Sequence, residues 1–164
     1  MIKKTEIISK FLTMKSIITI TIFFISCNIL IGQNSSDAKM VEQACLNYIE
    51  GFYEGDTLKL KESLKPKLYK HGFWKEEGSE TYRSAGSMSY EQALAYAKNV
   101  LEKKNFPKED APKQVKILDI SNHIAAAKIV AWWGMDYILL SKENGVWMID
   151  EVLWEGPFEK SHLD

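Results

Sequence analysis

From Gln114 to Trp154 the apolar residues of this chain recur at a strand period, in runs that follow one another almost without a break. The spacing predicts four consecutive strands, at 114–120, 124–133, 136–142 and 146–154. Asn144-Gly145 joins the last two, and both positions suit the positive φ angles of a type I′ hairpin. Gly134 marks a tight turn or bulge ahead of Asp136. Strands linked this closely pair with their neighbours, so the C-terminal half is an antiparallel meander.

Upstream of residue 105 the period is helical. Met40, Val41, Ala44, Cys45, Tyr48, Ile49 and Phe52 form one apolar face, predicting a helix over 37–53 with Asp37 as its cap and Gly55 as its stop. Asp56 caps a second helix over 57–64, with Leu58, Leu60 and Leu64 as its apolar contacts and Pro66 as its end. Residues 68–74 read as a short extended piece and 82–87 as irregular or a brief strand. Ser89 and Gln92 form the capping box of a third helix over 90–104, with Leu94, Ala97 and Leu101 on its buried side. Helices first and a meander after them make an α+β domain.

Residues 17–31 carry no charge and follow Met14-Lys15, which suits the apolar core of an export signal and is short for a membrane span. Residues 1–32 read as a signal peptide whose true start is Met14 or Met1, with Gln33 as the mature N-terminus, so the protein is periplasmic or secreted. A competing reading makes Ser26-Cys27 the end of a lipobox and anchors the chain through a lipidated Cys27; otherwise no membrane association is expected. Lys3, Lys4, Lys10 and Lys15 face only Glu6 in this segment, and the whole chain is at −1, so the remainder is mildly acidic. It has no basic surplus for nucleic acid. Cys45, left alone after cleavage, has no disulfide partner and sits on the apolar helix face as a small hydrophobe.

The last strands are apolar on both sides. Ile129, Trp133, Tyr137, Leu139 and Trp147 alternate with Val130, Trp132, Ile138, Leu140 and Met148. Helices cover one face, so the other is expected to meet a second copy of the chain, giving a homodimer through the outer sheet face.

The stretch 136–149, DYILLSKENGVWMI, resembles the D-Y-x-x-L-x-K-x-x-G-x-W-x-I closing hairpin of the proteins named putative lumazine-binding, within the nuclear transport factor 2-like superfamily that also holds SnoaL-like cyclases and ketosteroid isomerase. Residues 48–56, YIEGFYEGD, resemble the family's Y-x-x-G-x-x-x-G-D, and Pro66 and Lys70 stand where its members often have H-P-x-x-x-K. Lys65 takes the place of that His. The resemblance spans about residues 37–156, leaving 157–164 as a solvated tail. It implies a cone-shaped roll, in which about three helices from the first half pack on a curved antiparallel sheet and leave a pocket at the open end.

Three functions fit such a pocket. In the first, Tyr48, Phe52, Trp132, Trp133, Asp136 and Trp147 line a slot for a small planar or apolar ligand, with Trp154 in the wider aromatic set. In the second, the chain is an isomerase- or cyclase-type enzyme with Asp136 as base and Tyr48 as oxyanion donor. The third is a homodimeric association module whose cavity is filled by its own side chains. Asp150 and Glu151 lie on opposite faces of one strand, and His71, His123 and His162 read as solvated. No metal-ligand spacing, G-x-S-x-G elbow or phosphate loop is present, and no cofactor is implied.

Overall fold

Helix α1, residues 36–54, buries Val41, Ala44, Cys45, Tyr48, Ile49, Phe52 and Tyr53, so the face read from the sequence is the one that packs. The structure is a computed structural model that describes residues 36–76 and 78–163; the segment read as an export signal, with Cys27 in it, lies outside them. Gly55 ends α1 at φ +70°, and an added Cβ there would stand 2.7 Å from the Ala97 carbonyl. A glycine is required both for the left-handed turn and for the close approach of the third helix. Asp37 is not the free cap it was expected to be. Its carboxylate accepts from Lys142 Nζ at 2.6 Å and Trp147 Nε1 at 3.0 Å, pinning the start of α1 to the sheet.

Asp56 accepts from the backbone N–H groups of Leu58 and Lys59 and starts α2, Thr57–Ser63. Leu60 is buried, but Leu58 points to solvent. Pro66 does not end this helix. The chain turns extended at Leu64 and runs directly into β1, Leu64–Trp74, with Pro66 inside the strand. Its missing N–H falls where the pairing of β1 is irregular, between Leu64 and Tyr69, so no ladder bond is lost. Next come β2, Arg83–Met88, and α3, Tyr90–Lys103, with the Ser89–Gln92 capping box formed as expected. The buried side of α3 is Ala93, Ala97 and Val100, while Leu101 is exposed.

Strands β3, Gln114–Ile120, β4, Ile124–Ala131, β5, Gly134–Glu143, and β6, Val146–Gly156, form the meander. Asn144 and Gly145 both have positive φ at the last turn. The sheet order is β2-β1-β6-β5-β4-β3, and β1 runs parallel to β6, the one departure from an all-antiparallel sheet. Three helices pack on this curved, unclosed sheet. Leu139 pairs with Glu151 and Leu140 with Ile149, leaving Asp150 as an extra residue in β6. Such a bulge bends its strand and raises the local twist. It also lets Ile149 and Val152, three apart, both point inward.

The outer face differs from the expected alternation. Ile129 stands opposite Asp136, so odd positions of β4 share a face with even positions of β5. Ile129, Ile138, Leu140 and Trp147 therefore face the helices, and Tyr137, Leu139 and Leu153 face outward beside Tyr69 and Phe73. Residues 157–163 are not a free tail. A short 3₁₀ turn, Lys160–Leu163, buries His162 against Phe158, and the His162 ring accepts from the Glu159 N–H.

Cys45 is fully enclosed, and its thiol is pushed up to about 12, first by burial and then by the Asp136 and Glu42 charges. The thiolate is the reactive form. Iodoacetamide at about pH 8.5, the ordinary thiol pKa, is expected to leave Cys45 unmodified in the native protein and to alkylate it fully in urea. Native labelling at the rate of a free thiol would place Cys45 outside the core.

Candidate functional site

One row across the sheet carries the site. Gly72 on β1 stands opposite Trp154 on β6, which stands opposite Asp136 on β5. Lys70 is two residues back along β1, on the same inward face. α1 crosses this row and brings Tyr48 down on it. Gly134, at φ +146°, lets β5 begin hard against β6, since an added Cβ would lie 1.9 Å from the Glu155 carbonyl oxygen. That approach sets Asp136 at the floor of the fold rather than at its edge.

Asp136 is fully buried, and both of its oxygens are used. Oδ1 accepts from Trp133 Nε1 at 2.7 Å. Oδ2 accepts from the Tyr48 hydroxyl at 2.7 Å and from Lys70 Nζ at 3.3 Å, and Lys70 Nζ also donates to the Tyr48 oxygen at 2.7 Å. Removing a carboxylate and an ammonium from water costs several kcal/mol per ion, at order of magnitude, unless they are paired and hydrogen-bonded. Here they are both. Burial pulls the Lys70 ammonium below the usual lysine range, and the charge of Asp136 opposes the shift. Burial, then the adjacent Asp136 carboxylate, holds the Tyr48 hydroxyl well above the usual phenol range. The Lys70 amine also lies 5.1 Å from the centre of the Trp154 ring and 5.8 Å from that of Trp133, within cation–π reach of both.

Above this cluster opens a cavity of about 190 Å³. Phe52 from α1, Trp74 from β1, Met88 from β2, Tyr96 from α3, Trp132 and Trp133 from the β4–β5 turn, and Trp154 from β6 form its apolar walls. Lys70 is the charged residue among them, 7% exposed. The rings meet edge to face: Phe52 with Tyr96 at 5.7 Å, Phe52 with Trp133 at 5.8 Å, and Trp132 with Trp133 at 6.1 Å between centres. Trp154 lies flat on Gly72, whose added Cβ would meet the indole at 2.2 Å. Trp74, Tyr96 and Trp132 are part-exposed and make the rim. Tyr53, beside this turn, accepts from the Trp132 N–H at 2.8 Å and donates to the Pro112 carbonyl at 2.6 Å.

Phe52, Trp132 and Trp133 line the cavity. Tyr48 and Asp136 lie one layer deeper, behind Lys70. Trp147 does not belong to the site: it is buried elsewhere in the core, where its indole N–H serves Asp37. Asp150 is drawn aside by the bulge to Lys65, at 3.3 Å, and to Ser141, while Glu151 is exposed. His71 lies on the outer face between Tyr69 and Phe73, and His123 is exposed. Among the described residues no group of three or more His, Cys, Asp or Glu side chains is placed to hold a metal. Sequence reasoning missed Lys70, Trp74, Met88 and Tyr96 as cavity residues. For Lys70 the signal was the P-x-x-x-K spacing; the others come from elements whose facing is decided only by the fold.

The family model described as "Putative lumazine-binding" matches residues 36–155. The chain belongs to that family. Among solved structures, the NTF-2 like protein of unknown function from Silicibacter pomeroyi DSS-3 is 15% identical, with a TM-score of 0.56 over 74% of this chain and 96% of that one. A counterpart from Shewanella baltica OS155 is 16% identical, with a TM-score of 0.53 over 73% and 93%. These likenesses establish the nuclear transport factor 2-like fold. No curated protein sequence matches the chain.

Asp136→Asn leaves the Lys70 amine buried without a counter-ion. The expected loss in urea denaturation is about 3–5 kcal/mol, part of which the Lys70→Met/Asp136→Asn double variant recovers. Additive losses in that cycle would mean that the two groups are not coupled.

Proposed function

We propose that the protein is an exported binder of a small planar molecule, held by aromatic stacking and anchored by one acceptor oxygen on Lys70. The observation that carries this reading is the single amine set into an otherwise apolar, aromatic-walled cavity. An ammonium has three N–H donors, and two of those on Lys70 are committed to Tyr48 and Asp136. The third is available to a ligand. Apolar cavities of about 150 Å³ accommodate benzene, so the space here suits one ring inside the walls, with a second ring reaching the rim. The cavity is open rather than filled, which favours a binder over an association module. Asp136 is enclosed with both oxygens occupied, so it supports the isomerase reading only at one remove, through Lys70.

The apolar outer face of the sheet supports a homodimer as the working form. Tyr69, Phe73, Tyr137, Leu139 and Leu153 are all well exposed there. The uncharged run at 17–31 supports export. No helix among the described residues is long and apolar enough to cross a membrane.

Lumazine, planar and bearing ring carbonyls, is the natural first probe given the family. It is expected to quench Trp fluorescence saturably, and Gly72→Ala, which displaces the Trp154 indole, is expected to weaken binding about tenfold, equivalent to roughly 1.4 kcal/mol. If neither lumazine nor a naphthalene alcohol perturbs the Trp emission, the binding reading falls. Light scattering is expected to give a dimer mass that Leu153→Glu reduces to a monomer; a monomeric parent protein would remove the dimer.

A further inference from the structure

We propose that Lys70 is a nucleophilic amine that condenses reversibly with a planar aromatic aldehyde or ketone in the cavity, giving a protonated imine with Asp136 as its counter-ion. The proposal rests on the cavity being a site for planar molecules and goes further, naming the carbonyl carbon as the atom that the protein engages.

The position of Lys70 distinguishes it from the other lysines with carboxylate partners. Lys98 and Lys113 pair at the surface, and the partners of Lys59 and Lys75 hold their ammonium groups above the usual range. Burial pulls Lys65 down, but Glu143 and Asp150 together outweigh it. Lys142 is tied to Asp37. Lys70 alone of these lines an apolar cavity, and its shift is downward. A lysine desolvated in an apolar pocket is the form in which this side chain attacks carbonyl groups. Each unit by which its pKa falls raises the neutral fraction about tenfold.

The surrounding groups complete the proton path. The Lys70 ammonium gives one proton to Asp136 Oδ2, directly or through the Tyr48 hydroxyl that touches both. The freed nitrogen lone pair forms a bond to the carbonyl carbon while the C=O π pair moves to oxygen. A proton then passes from nitrogen to that oxygen, giving a neutral carbinolamine. Asp136 returns its proton to the nitrogen it touches, and that nitrogen passes a proton to the hydroxyl. The C–O bond breaks as the nitrogen lone pair forms C=N, and water leaves. The net change is ammonium plus carbonyl to iminium plus water, with Asp136 a carboxylate at both ends. The imine therefore inherits the charge environment of the ammonium, including the carboxylate and the Trp133 and Trp154 rings. A planar group conjugated with the C=N bond would extend from Lys70 between Phe52 and the Trp walls.

The test is reductive trapping. The full chain is incubated with 2-naphthaldehyde and sodium cyanoborohydride near neutral pH, then analysed by intact mass and peptide mapping. One adduct per chain is expected, on Lys70, formed at least about tenfold faster than at any other lysine, because the cavity holds the aldehyde beside that amine. 2-Naphthalenemethanol, which has the ring system but no carbonyl, is expected to slow this labelling and to quench the Trp emission. Lys70→Arg, which keeps the cation, is expected to abolish the fast adduct and leave the slow surface labelling unchanged. If the alcohol binds but Lys70 gains no preferential adduct, the condensation is overturned and the binding function stands. If the alcohol fails to bind and labelling scatters equally over surface lysines, both fall.

Discussion

A carboxylate that never meets water organises this protein. Asp136 receives three donors, one each from α1, β1 and the β4–β5 turn, and no one of those elements supplies a second. Losing any partner leaves charge or a polar atom stranded in the core, a penalty of several kcal/mol at order of magnitude. The long helix, the parallel strand and the Trp-bearing turn are thereby held in one relative placement. Apolar packing of Ile49, Ile129, Ile138 and Ile149 supplies the driving force for collapse but little orientation. The polar contacts at Asp136 supply the orientation. Among the described residues no enclosed side-chain polar atom lacks a partner.

The same contacts account for an aromatic cavity at this place. Trp133 is fixed by donating to Asp136, and its ring then becomes a wall that Phe52 and Trp132 meet edge to face. Lys70 is held upright by Tyr48 and Asp136, so its amine stays at the floor instead of reaching out toward water as a long basic side chain ordinarily does. The cavity wall is preorganised by a buried layer that itself touches nothing in the cavity. Such support is what keeps a binding site geometrically defined.

Much of this architecture was legible in the residues. The apolar face of α1, the Asp56 cap, the Ser89–Gln92 box and the Asn144-Gly145 turn are local signals, and each forms the structure its chemistry favours. The enzyme reading names Asp136 as base and Tyr48 as oxyanion donor; the structure hydrogen-bonds the two to each other, a layer behind a lysine. What escaped was non-local. The parallel pairing of β1 with β6 brings together residues 82 to 85 positions apart, and no pattern within β1 announces it. Counting by twos across the β4–β5 turn put Tyr137 and Ile129 on one face, whereas the register puts them on opposite faces. Trp147 enters the expected slot as one of the Trp residues on the final strands; it does face inward, but its indole serves the Asp37 carboxylate elsewhere in the core.

The Tyr53 hydroxyl clamps the two chain ends that lie just beyond the last β3–β4 pair: it accepts from the Trp132 N–H at the cavity rim and donates to the Pro112 carbonyl ahead of edge strand β3. Any outward displacement of the Trp132 backbone would loosen the start of the sheet's edge strand in the same movement. Opening of the rim and fraying of edge strand β3 would then share one barrier, and a rim that opens readily would also expose an unpaired strand.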